Sequence, residues 1–397
     1  MGSSESPPEK QLLFVAYDFP PGVGIGGAIR SANFARYLPE SGWRPQVVSL
    51  DWGQARKQGV VRLKSWTPWH RPYELVPYGW AWALRRYLRK TREAYDLVYV
   101  SCPPFPHAMV VAKYAQKRRI PLVVDFRDAW SLDPYQEGSR LKRWLYRHVF
   151  PGMEERLISS VDHLILNTPS ALRAYRDRYP AMAQRMSCLP NGFDSSAYPM
   201  ALPVMDEPEM RLVYAGRFGI GARSPSNLLA GMRLAVEEGC RISMEIIGNQ
   251  PSGIAQAVSG YDLDGVVTLV DQIPYEQAVS KMCNAGVLVL VQATSDASHQ
   301  AVAGKTYDYL RTGRPVLYIG PPGDNRDLVD RYVGRSVCPA DNPQSIAAAL
   351  QTLYDEWQAG ELAKPRLHPE VPLLFDRKLL TAQLADRLDS LLATGSR

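Results

Sequence analysis

The sequence contains no apolar run near the roughly 20 residues that a membrane-spanning helix requires. Its first apolar run, residues 12–16, has the length of a β-strand and lacks the surroundings of a cleaved signal segment. Five cysteines are dispersed along the chain, without a CxxC pair or metal-ligand spacing. These absences argue against a disulfide framework and a cysteine metal site, and they predict a cytoplasmic protein.

Size and composition are those of an ordinary globular chain. The 397 residues exceed what one hydrophobic core usually holds, so two domains are expected. Residues 1–200 carry 28 Lys and Arg against 17 Asp and Glu, whereas residues 201–397 carry 18 against 23. The two halves therefore have different electrostatic partners.

Strand-like apolar runs alternate with helical patterns along most of the chain, which predicts parallel sheets built from βαβ units. A run at 12–17 leads into a glycine-rich loop and a helix, and the run at 212–215 starts the same pattern again. The sequence therefore predicts an α/β fold of two facing Rossmann-like domains, with the active site in the cleft between them. The predicted ranges are 1–200 for the N-terminal domain, 201–375 for the second domain, and 376–397 for a helix that crosses back to the first domain.

The first glycine-rich loop contains a literal GxGxxG motif, from Gly22 to Gly27, and Asp51 ends the next strand. Taken alone, this pattern is typical of NAD binding. However, Asp18-Phe-Pro-Pro21 separates the strand from the glycines, whereas the dinucleotide motif turns directly off its strand. A loop that only turns the chain is a second interpretation. We favour a third, in which the backbone N–H groups of Gly26 and Gly27 approach a diphosphate or an acceptor.

Two arginines follow the first strand of the second half. Arg217 stands two residues beyond that strand, and Arg223 lies six residues later near the start of a helix. Each alone is typical of a solvated surface. Together they indicate a diphosphate site, because arginine presents forked donors that match phosphate oxygens.

A second anion-binding pattern begins at Gly304, where a loop leads into a predicted helix. The free N–H groups of a helix start attract anions, and Lys305 adds a positive charge. Asp308 lies on the same helix face and has the chemistry to accept hydrogen bonds from a ribose diol. The alternative is that Asp308 only interacts favourably with the helix dipole.

These segments, in their order along the chain, resemble the retaining family 4 glycosyltransferases of the GT-B fold. The resemblance covers nearly the whole sequence. It rests on the following segments: Tyr17-Asp-Phe-Pro-Pro21 with Gly26-Gly27, Ser101-Cys-Pro-Pro104, Pro121 to Trp130, Pro190 to Asp194, Gly216-Arg217, and Lys305 to Leu317.

The resemblance implies a nucleotide diphosphate-sugar bound mainly to the second domain, an acceptor on the first, and neither a metal nor a cofactor. It implies that Arg217, Arg223 and Lys305 stabilise the leaving diphosphate. The implied donor-nucleotide site comprises Gly26, Gly27, Gly216, Arg217, Arg223, Gln272, Ile273, Gly304, Lys305, Thr306 and Asp308. The residues expected near the donor sugar or acceptor are Asp125, Asp128, His107, His299 and Gln300.

Three positions depart from the family pattern. Asp308 and Gln300 stand where two glutamates are usual, Arg223 stands where lysine is usual, and neither His107 nor His299 fits the histidine often found near the donor sugar.

A basic segment rich in tryptophan spans residues 52–92. Ten Lys and Arg residues accompany a single acid, Glu74, and four tryptophans after Trp52 are interleaved with them: Trp66, Trp69, Trp80 and Trp82. This composition is typical of contact with an anionic membrane, and equally of a solvated basic face over packed aromatics. No nucleic-acid-binding motif accompanies the charges, so no nucleic-acid partner is expected.

The sequence therefore predicts a metal-independent, retaining glycosyltransferase that uses a nucleotide-sugar, with UDP-sugar as the expected donor. A glycan or lipid-linked acceptor in polysaccharide or glycoconjugate biosynthesis is expected. The alternatives are a sugar-nucleotide epimerase on the same fold, an NAD-dependent oxidoreductase, and a binding protein without activity.

Overall fold

The computed structural model describes residues 9–20, 25–53, 59–67, 76–132, 140–219, 224–293 and 299–394. The chain divides into domain 1, residues 1–191 with 377–397, and domain 2, residues 192–376. Each domain is built on one parallel sheet with helices on its faces. The predicted α/β fold of two Rossmann-like domains is confirmed.

Domain 1 contains a seven-stranded parallel sheet. Its strands are β1 (Lys10–Ala16), β2 (Trp43–Leu50), β3 (Val60–Leu63), β4 (Leu97–Cys102), β5 (Leu122–Phe126), β6 (His163–Leu166) and β7 (Met186–Cys188). The strand order is β3-β2-β1-β4-β5-β6-β7. The order therefore reverses between β1 and β4, and ligands of such sheets bind beyond the carboxyl ends of the strands at that point.

Both faces of this sheet are covered, which explains its nearly continuous apolar strands. Val98 and Val100 of β4 face one core, and Leu97 and Tyr99 face the other. The helices of the domain are α1 (Ile25–Tyr37), α2 (Val76–Lys90), α3 (Pro106–Arg118), α4 (Arg140–His148), α5 (Phe150–Ile158), α6 (Pro169–Arg178) and α14 (Arg377–Ala393).

The C-terminal helix α14 packs on domain 1 although domain 2 precedes it in the chain. Leu380, Leu384 and Leu388 recur at four-residue spacing and are buried in the same core as Phe34 of α1. At its far end, Asp389 accepts a hydrogen bond from Trp43 Nε1 at 2.8 Å. An apolar stripe and a polar contact thus attach this helix to the domain.

Domain 2 contains a six-stranded parallel sheet. Its strands are β8 (Met210–Ala215), β9 (Ile242–Ile247), β10 (Val267–Val270), β11 (Val287–Val291), β12 (Val316–Ile319) and β13 (Ser336–Val337). Its helices are α7 (Ser226–Glu237), α8 (Gly253–Gly260), α9 (Tyr275–Cys283), α10 (Gly304–Thr312), α11 (Asp324–Tyr332), α12 (Pro343–Gln358) and α13 (Val371–Phe375). The strand order β10-β9-β8-β11-β12-β13 is that of a Rossmann sheet and reverses between β8 and β11.

Candidate functional site

The candidate site of domain 2 lies where the strand order reverses, beyond the carboxyl ends of β8 and β11. Gly216 and Arg217 follow β8 directly. The chain that follows β11 leads to α10, which begins at Gly304. Parallel pairing of β8 with β11 brings these two connections to the same edge of the sheet.

Lys305 and Gly216 lie in close contact at this edge. A Cβ atom at Gly216 would lie 3.1 Å from Lys305 Nζ, and the backbone there has a φ of +144°. The ammonium group also lies 3.4 Å from the ring centroid of Tyr214, which stacks on Phe218 with centroids 4.0 Å apart. Glycine is therefore needed at residue 216 for its backbone conformation and for the approach of the lysine.

Arg217 is exposed, and the backbone on both sides of it is held by Gln250. The Gln250 amide donates to the carbonyl oxygens of Gly216 at 2.6 Å and Gly248 at 3.0 Å, and it accepts from Phe218 N at 3.1 Å. Gln250 was not predicted from the sequence, because a single glutamine outside any motif carries no signal. Arg223, the second predicted arginine, lies outside the described residues.

Asp308 is almost fully buried, at 8% exposure, and bonds to two tyrosines. Its Oδ1 accepts from Tyr275 Oη at 2.6 Å and from Tyr198 Oη at 2.9 Å. Burial, and next the Asp308 carboxylate, raise the pKa of Tyr198 well above its usual value, so this phenol remains a donor. The carboxylate thus lies in a polar cluster one turn into α10.

The other predicted residues of domain 2 lie around this edge of the sheet or pack behind it. Thr306 is buried and donates to Asn325 Oδ1 at 2.6 Å. Gln272 accepts from Asn249 Nδ2 at 3.2 Å, and Ile273 packs on a core cluster of domain 2. His299 and Gln300 form a short turn before α10.

That turn leaves no room for a side chain at Gly323. A Cβ atom there would lie 2.3 Å from the carbonyl oxygen of His299. The turn that carries His299 and Gln300 is therefore packed directly against the start of α11.

In domain 1, Asp125 forms a buried ion pair rather than lying at an open surface. Its two oxygens accept from Arg30 at 2.8 and 3.2 Å, and Tyr99 adds a third hydrogen bond at 2.5 Å. Arg30 also donates to the carbonyl oxygens of Leu189 and Pro190. Arg30 was not predicted from the sequence. Its forked guanidinium ties α1 to β5 and to the chain after β7.

Asp128 is exposed two residues beyond β5. Arg127, next to it, donates to the carbonyl oxygens of Cys102 and Pro103 at 3.3 and 3.0 Å. Asp18, just beyond β1, was also missed. Burial raises its pKa to about 6, while the charge of Arg127 opposes that shift. The structure thus places two carboxylates and an arginine at the carboxyl ends of β1 and β5.

His107 is fully buried within an aromatic cluster. Its ring lies 4.9 Å from that of Trp80 and 6.4 Å from that of Tyr17, and its Nε2 lies 3.1 Å from the carbonyl oxygen of Ser101. Burial lowers its pKa to about 3, so the imidazole is neutral near pH 7. It lies in the first turn of α3, on the buried face of that helix.

The glycine motif of domain 1 is described only in part. Gly26 and Gly27 lie in the first turn of α1, whereas Gly22 and Gly24 lie outside the described residues. Asp51, the residue that an NAD site would use, accepts a hydrogen bond from Gly53 N at 2.9 Å.

The basic-aromatic segment separates into buried and exposed side chains. Trp80 is fully buried, whereas Trp66 and Trp82 are 75% and 48% exposed, with ring centroids 5.5 Å apart. Gly79 of α2 lets the segment that carries Trp66 lie close to this helix, because a Cβ atom at Gly79 would lie 2.6 Å from Ser65 Oγ. A groove of about 360 Å³ is lined by Trp82, Arg85, Arg86, Arg89 and Lys90. Trp69, Arg56, Lys57, Arg71 and Glu74 lie outside the described residues.

Within the described ranges, no helix combines the length and apolar character needed to cross a membrane. No group of three or more His, Cys, Asp or Glu side chains in that part of the chain is arranged to hold a metal ion. That no metal is needed stays a prediction.

Part of the chain is similar to a known glycosyltransferase family. Residues 25–197 match the family model described as Glycosyltransferase Family 4. No curated protein sequence matches the chain. Together with the two Rossmann-like domains, the family match confirms the resemblance to GT-B glycosyltransferases of family 4.

Solved structures with the same fold are similar over almost the whole chain. Sucrose-phosphate synthase from Thermosynechococcus elongatus has a TM-score of 0.72 at 16% identity, covering 97% of this chain and 100% of its own. HepE of Anabaena, in complex with UDP and glucose, has a TM-score of 0.66 at 16% identity, covering 96% and 100%. A putative UDP-N-acetylglucosamine 2-epimerase from Listeria monocytogenes has a TM-score of 0.65 at 10% identity, covering 98% of both chains.

Proposed function

We propose that this protein transfers a sugar from a nucleotide diphosphate-sugar, UDP-sugar being the expected donor, to a glycan or lipid-linked acceptor. The observation that carries the proposal is the contact of Lys305 with Gly216 at the reversal of the strand order in domain 2. A lysine, an exposed arginine and the start of α10 there meet the requirements of a diphosphate. The structure of HepE with UDP and glucose supports a uridine nucleotide.

Each part of the donor has a proposed site. Lys305, Arg217 and Arg223 hold the diphosphate, together with the free N–H groups that begin at Gly304. Asp308 accepts hydrogen bonds from the ribose hydroxyls. Backbone groups near Gln272 and Ile273 contact the base.

Catalysis in this proposal rests on charge stabilisation. Breaking the sugar–phosphate bond places negative charge on the leaving diphosphate, and fixed positive groups stabilise that charge by several kcal/mol in a site with little water. The acceptor attacks from the face that the diphosphate leaves, the leaving phosphate takes the acceptor proton, and the anomeric configuration is retained. No metal takes part.

Domain 1 is proposed to bind the acceptor. We place it at the cytoplasmic face of an anionic membrane, where the enzyme would act in polysaccharide or glycoconjugate synthesis. Exposed tryptophans beside arginines favour such a surface, because the rings enter the headgroup region while the cations attract anionic lipid. We expect sedimentation with anionic liposomes at low salt and release at high salt. The double substitution Trp66→Ala and Trp82→Ala should weaken this sedimentation, whereas Leu373→Ala, at an apolar side chain of domain 2 that is 65% exposed, should not. Equal sedimentation of all three proteins contradicts this surface.

The alternatives predict different ligands and products. The Listeria epimerase shares the fold, so an epimerase is distinguished by conversion of the sugar nucleotide without an acceptor. An NAD-dependent oxidoreductase would bind NAD, and the substitution Asp51→Ala would abolish that binding. A binding protein would bind nucleotide without releasing product.

Thermal unfolding with UDP, GDP and NAD tests the proposal, since a ligand of the folded state raises the apparent stability. We expect UDP to raise the Tm of the wild type and not that of Arg217→Ala. Arg241→Ala, an exposed arginine at the opposite edge of the same sheet, is the matched control and should respond as the wild type does. Stabilisation by NAD alone, or an equal response to UDP in Arg217→Ala, contradicts the proposal. Acceptor-dependent release of UDP then establishes transfer.

A further inference from the structure

The cluster around Asp308 joins three separate parts of domain 2. Asp308 lies in the first half of α10, Tyr275 is the first residue of α9, and Tyr198 follows a short 3₁₀ turn at Ser195–Ala197. Both phenols donate to the same oxygen, Oδ1, at 2.6 and 2.9 Å. Two donors from different directions fix the plane of the carboxylate as well as its position.

The two tyrosines differ in their surroundings. Tyr198 is a core residue, with its ring 5.7 Å from Phe193 and the Arg311 guanidinium 5.0 Å from its ring centroid. Tyr275 is only half-buried and lies at the start of its helix, next to Ile273 of the proposed base-binding loop. Its hydroxyl therefore joins the buried carboxylate to the accessible edge of the site.

A buried carboxylate needs hydrogen bonds. A carboxylate whose orientation is fixed by such bonds can discriminate between ligands. Sites built to bond a hydroxyl group reject analogues without it strongly, because a buried polar group then loses its partner. Two phenols that donate to Oδ1 supply such positioning.

We propose that Tyr275 and Tyr198 are positioning residues that orient Asp308 toward the ribose hydroxyls, so that this domain selects ribonucleotides over deoxyribonucleotides. This inference rests on the proposed function and assigns a role to two residues that no sequence motif identified. Tyr275 is the better test position, because Tyr275→Phe removes the hydroxyl and leaves the ring that packs against the neighbouring cluster.

Calorimetric titration of the full-length protein with UDP and 2′-deoxy-UDP, and with GDP and 2′-deoxy-GDP, measures this selection. For the wild type we expect about tenfold or stronger preference for the ribonucleotide, the scale of one well-placed hydrogen bond to a charged group. Tyr275→Phe should bring the two affinities to within about threefold. Tyr354→Phe, another half-buried tyrosine of domain 2, is the control and should keep the wild-type ratio.

The ratio separates positioning from a general loss of structure, because a structural defect weakens both nucleotides equally. An unchanged ratio in Tyr275→Phe, or no preference in the wild type, overturns this inference and leaves the proposed function standing. If the wild type binds none of the four nucleotides, both the proposed function and this inference are wrong. Tyr198→Phe provides a second variant and should reduce the ratio in the same direction.

Discussion

Replacing Gly216 with alanine tests whether the backbone after β8 and the Lys305 ammonium form one site. Residue 216 has a φ of +144°, and an added Cβ would lie 3.1 Å from Lys305 Nζ. The nearest atom is the end of a flexible side chain, so we expect the lysine to move while the fold persists. The ammonium then leaves its position over the Tyr214 ring.

Two separate costs follow from that geometry. A non-glycine residue in this backbone region costs about 1–3 kcal/mol of stability. Displacing Lys305 from its aromatic contact and from a bound diphosphate costs about 0.5–2 kcal/mol of binding, which is about 2- to 30-fold in affinity. Gly216→Ala should therefore lower both the free energy of unfolding and the affinity for UDP.

Gly239→Ala is the matched control for this experiment. Gly239 also lies in domain 2 with a positive φ, +96°, but an added Cβ meets nothing within 4 Å. It should lose a similar amount of stability in urea denaturation and keep wild-type affinity for UDP in calorimetric titration. If Gly216→Ala binds UDP as well as Gly239→Ala does, the contact between Lys305 and Gly216 has no part in nucleotide binding and the reasoning is refuted.

Three further substitutions test the residues that support the two sheets and their loops. Gln250→Ala removes three hydrogen bonds that fasten the loop bearing Arg217, so it should cost about 1–3 kcal/mol in urea unfolding and weaken UDP binding several-fold; wild-type values of both contradict this role. Glu154→Gln should cost about 2–4 kcal/mol, because the buried carboxylate accepts four hydrogen bonds from Ser131, Tyr175 and Tyr179; a change below about 0.5 kcal/mol argues against it. Burial, helped by Arg387, lowers the pKa of His163 from 6.5 to about 4, so the folded state prefers the neutral ring. Its stabilisation is complete above pH 6.5 and is lost as the pH falls towards 4, by up to about 3 kcal/mol. Urea denaturation across that range should show a smaller loss for His163→Gln, and parallel curves contradict the assignment.

Periodic apolar runs revealed most of the fold from the sequence. The strand-like runs predicted at 12–17 and 212–215 are observed as β1 and β8, because central parallel strands are continuous apolar segments between turns. The helix predicted after the first glycine-rich loop is also observed, as α1.

Short edge strands escaped the same reasoning. The strands β3, β7 and β13 are short, and Arg62, Ser187 and Ser336 interrupt their apolar residues. Backbone pairing with a neighbouring strand defines these three strands, and that pairing is seen only in the structure.

The partners of the site residues were less predictable than the residues themselves. Arg217, Lys305 and Asp308 were identified from motifs, and their roles stay predictions. The residues that surround them come from distant positions: Tyr198 is 110 residues from Asp308, and Arg30 is 95 residues from Asp125. A single sequence carries no signal for such pairings, because each depends on how the whole domain brings its loops together.

Positive groups at the point where the strand order of domain 2 reverses are proposed to bind a diphosphate. Calorimetric titration of UDP into Lys305→Met tests this most directly. This substitution keeps the length and much of the packing of the side chain while removing its charge. We expect saturable binding to the wild type, at least about tenfold weaker binding to Lys305→Met, and unchanged binding to Lys113→Met in domain 1. Equal affinity of the wild type and Lys305→Met, or no UDP binding by the wild type, would contradict it.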